Sequence, residues 1–226
     1  MDVVNRLLAM GVDPNHELTR MRPNGNGRGR FEDYMMRGGT GPVMIAALAF
    51  DDVALKVLLA HGAEADVPNV FQITPLMAVA GMSGAGRGNG PQRGDLQARA
   101  IKVLDLLVTA GANVNARVTD SHTHTAKLVA YVQGRDHEGQ TALFSAAEAG
   151  WDRVTKYLLD HGADARIQDG SGKTALDLAR KPAPVGPGVA PFRADPASRA
   201  ATVALLEPLM AKPPAAVPES SASAAP

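Results

Sequence analysis

The chain has 226 residues, of which 45% are hydrophobic, so it can build one large folded domain or two small ones. Its 23 Lys and Arg residues balance 23 Asp and Glu residues, which argues against a general electrostatic attraction to nucleic acid or to a membrane surface. Cysteine is absent, which excludes disulfides, thiolate zinc sites, iron–sulfur clusters and a cysteine nucleophile. No apolar run is long enough to span a membrane, and the first residues lack a signal-peptide pattern, so we expect a soluble protein that is cytoplasmic by default.

Four segments, taken in chain order, each end an aliphatic run with a glycine and a short polar stretch. The glycines are Gly11, Gly62, Gly111 and Gly162. Glycine fits the left-handed position just past a helix C-terminus, which a residue with a Cβ atom enters only at a cost. Each segment is therefore predicted to be a helix that ends at its glycine. His61 and His161 are predicted to bond to the last carbonyls of their helices.

A second kind of segment opens with Gly or Thr, continues with Pro or Ala, and is rich in alanine. It occurs at residues 41–47, 74–80, 141–147 and 174–179. Threonine is a good N-cap, and proline is pre-organised for the first helical position. The alanines would let a second helix pack closely behind the first. The repeated unit is therefore predicted to be a helix, a turn, a second helix, a glycine and an extended polar loop.

These segments resemble the ankyrin repeat, whose unit runs Thr-Pro-Leu-His, Ala-Ala, a Val/Leu-rich second helix and Gly-Ala-Asp-Val-Asn. The stretch 136–166 is the best single match. The resemblance implies an all-α helical solenoid of helix–turn–helix units with hairpin loops, in about four to five repeats. Some bacterial ankyrin proteins look similar, with long insertions at the same joints. The family's His is replaced by Met44, Met77, Phe144 and Asp177, so its hydrogen bond to the loop is lost and looser hairpins are expected.

The spacing of the four glycines, 51, 49 and 51 residues, exceeds the ankyrin period of about 33 residues and indicates insertions. The repeat domain is predicted to cover residues 1–211 and the tail 212–226 to be disordered. The units are placed at about 1–15, 39–69, 70–117, 136–168 and 169–211, with insertions at 16–38, 82–97, 118–135 and 181–194. The first unit holds only a second helix, so either the chain is part of a longer protein or its first Met is a misplaced start. Pro208 is expected to kink or end the last helix.

Motifs that carry chemistry are few. The run Gly170–Thr174 resembles a phosphate-binding loop but lacks that motif's first glycine and a preceding strand, so it is predicted to be a hairpin tip. His122 and His124 could hold a metal, but they lie in a polar insertion that we expect to be solvated. We therefore predict no catalytic residues, no metal, no cofactor and no enzymatic activity.

The ankyrin resemblance implies a partner-binding face made of hairpin tips and the ends of first helices. The candidate binding residues are Leu48, Val70, Phe71, Ile73, Met82, His137, Glu138, Gln140, Glu148, Trp151, Ser171 and Lys173. The apolar members would face outward, which commonly marks an interaction site, unless an insertion folds over them. Trp151 could be either an anchor for the partner or a packing residue. We expect Phe71→Ala to cost little stability and Leu158→Ala, at a core position, to cost much more.

The predicted function is a non-catalytic protein–protein interaction module with an unidentified protein partner and, by default, a monomeric state. One alternative is a C-terminal regulatory or positioning module of a larger enzyme. A further alternative is polyanion or RNA binding through the Arg/Gly-rich loops 17–37 and 87–99, although few aromatic residues are available for base stacking. Nucleic acid and membrane partners are not expected.

Overall fold

The computed structural model describes residues 2–16, 39–69, 72–82, 95–119, 137–181 and 196–211. The regular secondary structure in these ranges is helical, which confirms the predicted all-α class. The helices are α1 (Asp2–Ala9), α2 (Pro42–Leu48), α3 (Asp52–Ala60), α4 (Pro75–Met77), α5 (Leu96–Thr109), α6 (Ala142–Ala149), α7 (Asp152–Asp160), α8 (Ala175–Arg180) and α9 (Pro196–Ala211). The chain continues from α4 through Ala78–Met82, a π-type turn that is interrupted at Gly81, whose φ is 116°. None of the helices in the described ranges is long and apolar enough to cross a membrane.

The helices pack in two rows. The first helices of the units form one row, in which α2 contacts α4, the π-helical turn after α4 contacts α6, and α6 contacts α8. The second helices α3, α5, α7 and α9 form the other row in the same order. Each first helix also packs against the second helix of its own unit. The described chain is therefore a solenoid of the predicted kind.

Threonines begin three of the first helices, and two of them act as side-chain caps. The Thr74 hydroxyl accepts a hydrogen bond from the Met77 amide over 3.3 Å. Thr174 and Asp177 form a reciprocal capping box, which holds the pKa of Asp177 below its usual value because the Thr174 amide and hydroxyl both donate to its carboxylate. Thr141 makes no side-chain cap, so the predicted role holds for two of the three.

The glycines that end the second helices lie in the left-handed region, as predicted. Their φ angles are 84° for Gly11, 85° for Gly62, 94° for Gly111 and 88° for Gly162. The Nδ1 atoms of His61 and His161 each bond, over 2.8 Å, to the carbonyl four residues earlier in the helix. Both histidines therefore cap their own helices, which confirms the sequence prediction.

The core is aliphatic and rich in alanine, with methionine and phenylalanine at the positions where the ankyrin pattern has histidine. Met44, Met77 and Phe144 are each 1% exposed. The fourth such residue, Asp177, belongs to the capping box. The family's hydrogen bond is thus replaced by apolar burial in three units and by a helix cap in the fourth.

Neighbouring units are joined by the residue four positions after each glycine. The Nδ2 atom of Asn15 donates to the Gly62 carbonyl over 3.3 Å, and its Oδ1 atom accepts from the Glu64 amide over 2.7 Å. Asn115 makes the same two bonds to the fourth unit, each over 2.8 Å. One amide side chain therefore satisfies a donor and an acceptor of the next loop.

Asp66 occupies the same position at the joint between the second and third units. Its Oδ2 atom accepts from the Asn113 amide over 2.6 Å. Its Oδ1 atom is buried and has no hydrogen-bond partner among the described residues. An ionised carboxylate has no N–H group to donate to the carbonyl of Gly111, which corresponds to Gly62 by spacing. This joint is therefore less well satisfied than the other two.

Three boundaries differ from the sequence predictions. α5 begins at Leu96, within the predicted insertion 82–97, because Asp95 caps it by accepting from the Ala98 amide over 3.1 Å. Val118, assigned to the next insertion, is buried and its amide donates to the Gln140 carbonyl over 2.9 Å. α9 does not end at Pro208 but continues to Ala211.

Candidate functional site

The hairpin tip of the fifth unit, residues 169–173, is held by a single carboxylate. The Asp169 Oδ1 atom accepts from the Ser171 amide over 2.9 Å, from the Ser171 hydroxyl over 2.7 Å and from the Lys173 amide over 3.0 Å. The Asp169 amide also donates to the Lys173 carbonyl over 2.8 Å. Burial by itself raises the pKa of Asp169, but the donors of Ser171 and Lys173 outweigh it and lower that pKa below its usual value.

The tip of the fourth unit, residues 137–140, is tied directly to the tip of the fifth. The Gly170 amide donates to the Glu138 carbonyl over 2.7 Å. The Gln140 Nε2 atom donates to Asp169 Oδ2 over 3.3 Å, and its Oε1 atom accepts from His137 Nδ1 over 2.7 Å. His137 and Gln140 are both buried, so they build the tip from within rather than present a surface.

An arginine from the preceding loop fastens the two tips from the side. Arg117 donates from Nε to the Gly139 carbonyl over 3.2 Å and from Nη2 to the Gln168 carbonyl over 2.7 Å. A Cβ atom at Gly139 would lie 2.9 Å from Arg117 Nη2 and 3.1 Å from the Gly170 amide nitrogen. Gly139, whose φ is 75°, therefore allows both its own turn and the close approach of the neighbouring tip.

The tip of the third unit is built in the same way but is described only in part. The Asn69 amide donates to the Ile73 carbonyl over 3.0 Å, and Asn69 Oδ1 accepts from the Ile73 amide over 3.1 Å. Gln72 has a φ of 60° at the position that Gly139 fills in the fourth unit. Val70 and Phe71, the proposed apolar anchors, lie outside the described residues.

The structure corrects the predicted exposure of several candidate binding residues. Five of them are buried, namely Ile73, Met82, His137, Gln140 and Trp151. Leu48, Glu138 and Glu148 are partly buried. Ser171 and Lys173 are exposed, as predicted. Ile73 and Met82 were expected to face outward. They lie just before and just after the helical stretch 75–81, which packs against α2, α5 and α6, and both side chains are buried there.

Trp151 is a packing residue, with 4% of its surface exposed, and it precedes α7 without supplying a side-chain cap. The acceptor comes instead from Gln97 of the previous unit. Its Oε1 atom accepts from the amides of Arg153 over 3.0 Å and Val154 over 3.3 Å. Arg153 also pairs with Asp95, which lowers the pKa of that carboxyl. Two side chains at the start of α5 therefore fix the start of α7.

The ends of the first helices, next to Leu48 and Glu148, are held by arginines from the second row. Arg99 donates to the Ala49 carbonyl over 3.3 Å and lies over the Phe50 ring, 5.4 Å from its centre. Arg199 donates to the Glu148 carbonyl over 2.7 Å and also to two carbonyls at the end of α8. These guanidinium groups satisfy helix C-terminal carbonyls, so the edge of the first-helix row is a fixed part of the scaffold.

Arg117, Asp169 and Gln97 were not identified from the sequence as important. Asp169 carried a usable signal, because an Asp two residues before a serine in a Gly-Ser-Gly turn is typical of a side-chain-stabilised turn. Arg117 and Gln97 carried none, because their partners lie 51 and 56 residues further along the chain. Within the described residues, no group of three or more His, Asp or Glu side chains is placed to hold a metal ion, and His122 and His124 lie outside that part of the chain.

These features define a class of protein: a helical-repeat scaffold whose hairpin tips are joined by hydrogen bonds and partly exposed. Residues 97–181 match the family model for ankyrin repeats, in three copies. Residues 97–181 therefore match ankyrin repeats, and the all-α structure of the described residues is consistent with the ankyrin solenoid that the sequence predicted.

Curated relatives match the chain over part of their length. It is 25% identical over 149 residues to the transient receptor potential cation channel subfamily V member 5 of Rattus norvegicus, which is 65% of this chain and 18% of that protein. It is 34% identical over 80 residues to subfamily V member 6 of the same species, or 34% of this chain and 10% of that protein. It is 32% identical over 107 residues to the Neurogenic locus Notch protein of Drosophila melanogaster, covering 47% of this chain and 3% of that protein. The chain thus spans less than a fifth of the length of these relatives.

Proposed function

We propose that this chain is a non-catalytic module that binds another protein through the hairpin tips of its fourth and fifth units. Ankyrin repeats generally mediate protein–protein interaction and are typically not catalytic. The observation that supports this surface is the exposure of Ser171 and Lys173 on a backbone fixed by Asp169 and tied to the neighbouring tip.

A fixed tip favours binding because little conformational freedom is lost when a partner arrives. Ordering a flexible loop on association costs free energy that is subtracted from the contacts formed. In this protein the turn is ordered before binding by the Asp169 hydrogen bonds and by Arg117, which holds both tips together. The partner therefore meets a preformed surface, and its affinity depends on the side chains that the tips present.

The exposed part of this surface is polar. Ser171 offers a hydroxyl and Lys173 an ammonium group, and the partly buried Glu138 lies beside them on the adjoining tip. Such a surface suits a partner segment with hydrogen-bonding groups and at least one carboxylate opposite Lys173. The apolar anchor that we assign to Val70 and Phe71 lies outside the described residues and stays a prediction.

The test compares two charge reversals in the full chain. Lys173→Glu changes the proposed surface, whereas Lys102→Glu changes an exposed lysine of α5 in the second-helix row and serves as the matched control. Partners are cross-linked in a lysate and identified by mass spectrometry, and melting curves check that both variants remain folded. We expect Lys173→Glu to lose a partner that the native chain and Lys102→Glu retain. Equal capture by all three proteins, with unchanged melting, would place the binding surface elsewhere.

Three further expectations from the sequence remain proposals. The chain could position or regulate a larger enzyme of which it is part, and it could reside in the cytoplasm. Its Arg/Gly-rich loops, which lie outside the described residues except for 95–99 at the start of α5, could bind a polyanion. Retention on heparin at about 150 mM salt would support polyanion binding, and elution in the flow-through at low salt would remove it.

A further inference from the structure

The side-chain bonds between neighbouring units are complete at two joints and incomplete at the joint that lies between those two. Asn15 and Asn115 each donate to a glycine carbonyl and accept from a backbone amide of the next unit. Asp66, at the equivalent position between the second and third units, accepts from the Asn113 amide over 2.6 Å. Its Oδ1 atom is buried and has no partner in the described part of the chain. A buried polar atom that lacks a partner weakens the contact in which it lies, so this incomplete joint is the weakest of the three.

The incomplete joint divides the described chain into two blocks. The amino block consists of residues 2–16 and 39–69. The carboxyl block consists of residues 72–82, 95–119, 137–181 and 196–211. Both bonds of Asn15 lie inside the amino block, and both bonds of Asn115 lie inside the carboxyl block. Each block is therefore fastened internally by the kind of contact that is only half made between them.

Further side chains hold the carboxyl block together. Gln97 of α5 accepts from the amides of Arg153 and Val154 at the start of α7. Tyr157 of α7 donates to Asp105 of α5 over 3.2 Å. The hairpin tips of the fourth and fifth units are bonded to each other as well. The third, fourth and fifth units are thus joined along both the second-helix row and the tips.

The packing across the incomplete joint involves an irregular helix. There α2 packs against α4, and α3 packs against α5. Helix α4 has only three residues, and its continuation is interrupted at Gly81. The tip that leads into α4 holds Gln72 at a φ of 60°, which strains a residue with a Cβ atom. Arg99 also crosses the joint, but its bond to the Ala49 carbonyl, over 3.3 Å, is exposed, so water competes for both groups.

We propose that the incomplete joint is the point at which the solenoid opens: the amino block detaches and unfolds as one body while the carboxyl block stays folded. In a stack of repeats, each unit contacts only its neighbours, so the strength of each interface decides which units open together. A stack needs about three repeats for stability, which the carboxyl block has and the detached amino block lacks. The tips of the fourth and fifth units lie wholly inside the carboxyl block and survive the opening. This inference does not depend on the proposed function.

Hydrogen exchange of the backbone amides in the full chain, followed by NMR under native conditions, tests this order of opening. We expect the amides of α3 to exchange faster than those of α5 and α7, because detachment of the amino block alone exposes α3. Asp66→Asn should complete the joint and slow the exchange of α3 about fivefold.

Asn115→Asp is the matched control, because it should weaken the joint between the third and fourth units in the same way. It should leave the exchange of α3 unchanged, since the amino block opens without breaking that joint. It should speed the exchange of α7 about fivefold, since α7 is exposed only by openings that do break it.

Four results would overturn the proposal. A common exchange rate for α3 and α5 in the native chain would mean that the two blocks do not open separately. Faster exchange of α3 in Asn115→Asp would place the opening beyond the third unit. Unchanged exchange of α3 in Asp66→Asn, or of α7 in Asn115→Asp, would show that these bonds do not set the strength of a joint.

Discussion

Asp66→Asn should make the protein more stable, which is unusual for a change at a partly buried position. Asn15 and Asn115 each donate to a glycine carbonyl and accept from a backbone amide of the next unit. Asp66 makes only the accepting bond to the Asn113 amide, and its Oδ1 atom is buried without a partner among the described residues. The substitution replaces that oxygen with an NH₂ group facing the equivalent carbonyl, that of Gly111.

The magnitude follows from three contributions. A new neutral hydrogen bond contributes about 0.5–1.5 kcal/mol, and removing a buried unsatisfied acceptor contributes about 1–3 kcal/mol. The bond from the Asn113 amide to a carboxylate is stronger than the bond to an amide oxygen, and its weakening offsets about half of that gain, or about 1–2 kcal/mol. We therefore expect the free energy of unfolding to rise by about 1 kcal/mol, which raises the melting temperature by about 2–4 °C in a domain of this size.

Urea denaturation of the native chain and of Asp66→Asn would measure this difference. Asn115→Asp is the reciprocal control, because it should recreate the Asp66 arrangement at the next joint and lower the stability by a similar amount. The reasoning would be refuted if Asp66→Asn were neutral or destabilising while Asn115→Asp lowered stability, since the two joints would then not be equivalent.

Three other changes test separate features. Gln97→Leu should lower the unfolding free energy by about 1 kcal/mol in urea, since α7 loses the acceptor for two amides, and an unchanged midpoint would contradict this role. Gln72→Gly should raise the free energy of unfolding by up to about 1 kcal/mol, and with it the melting temperature, because a φ of 60° strains a residue with a Cβ atom. Gly139→Ala should lower the melting temperature, because the added Cβ atom would crowd Arg117 and the neighbouring tip. The folded-state pKa of Asp169 lies below its ordinary value, so its stabilising contribution is present above the pKa of the unfolded state and is lost as the pH falls through the lower folded value. Asp169→Asn should therefore reduce the loss of stability measured between about pH 6 and pH 3, and an identical pH dependence would argue against the assignment.

Much of the fold could be predicted because its signals are local. A glycine at a positive φ and a threonine before a helix act within a few residues, so the repeated glycines and the Thr/Pro segments were enough to indicate an all-α repeat. Leu158, predicted to be in the core from its periodicity, is fully buried. His61 and His161 bond to carbonyls within their own helices, and the sequence predicted this too.

The candidate site was predicted less well, because it depends on contacts between units. Ile73 and Gln140 occupy equivalent tip positions that look exposed when one unit is considered alone, and the neighbouring units bury both. Of the twelve candidate residues, Ser171 and Lys173 are the two that the described structure leaves exposed.

The sequence by itself determined the repetition of the helices and the glycines that end the second helices, since backbone conformation responds to residues a few positions apart. Only the tertiary structure decided which side chain serves which unit. Gln97 caps a helix of the next repeat, and Arg117 fastens two hairpin tips to each other. Asp66, by contrast, has one carboxylate oxygen without a hydrogen-bond partner in the described part of the chain, where Asn15 and Asn115 are satisfied. Such pairings depend on the distance and rotation between stacked units, which no local pattern encodes.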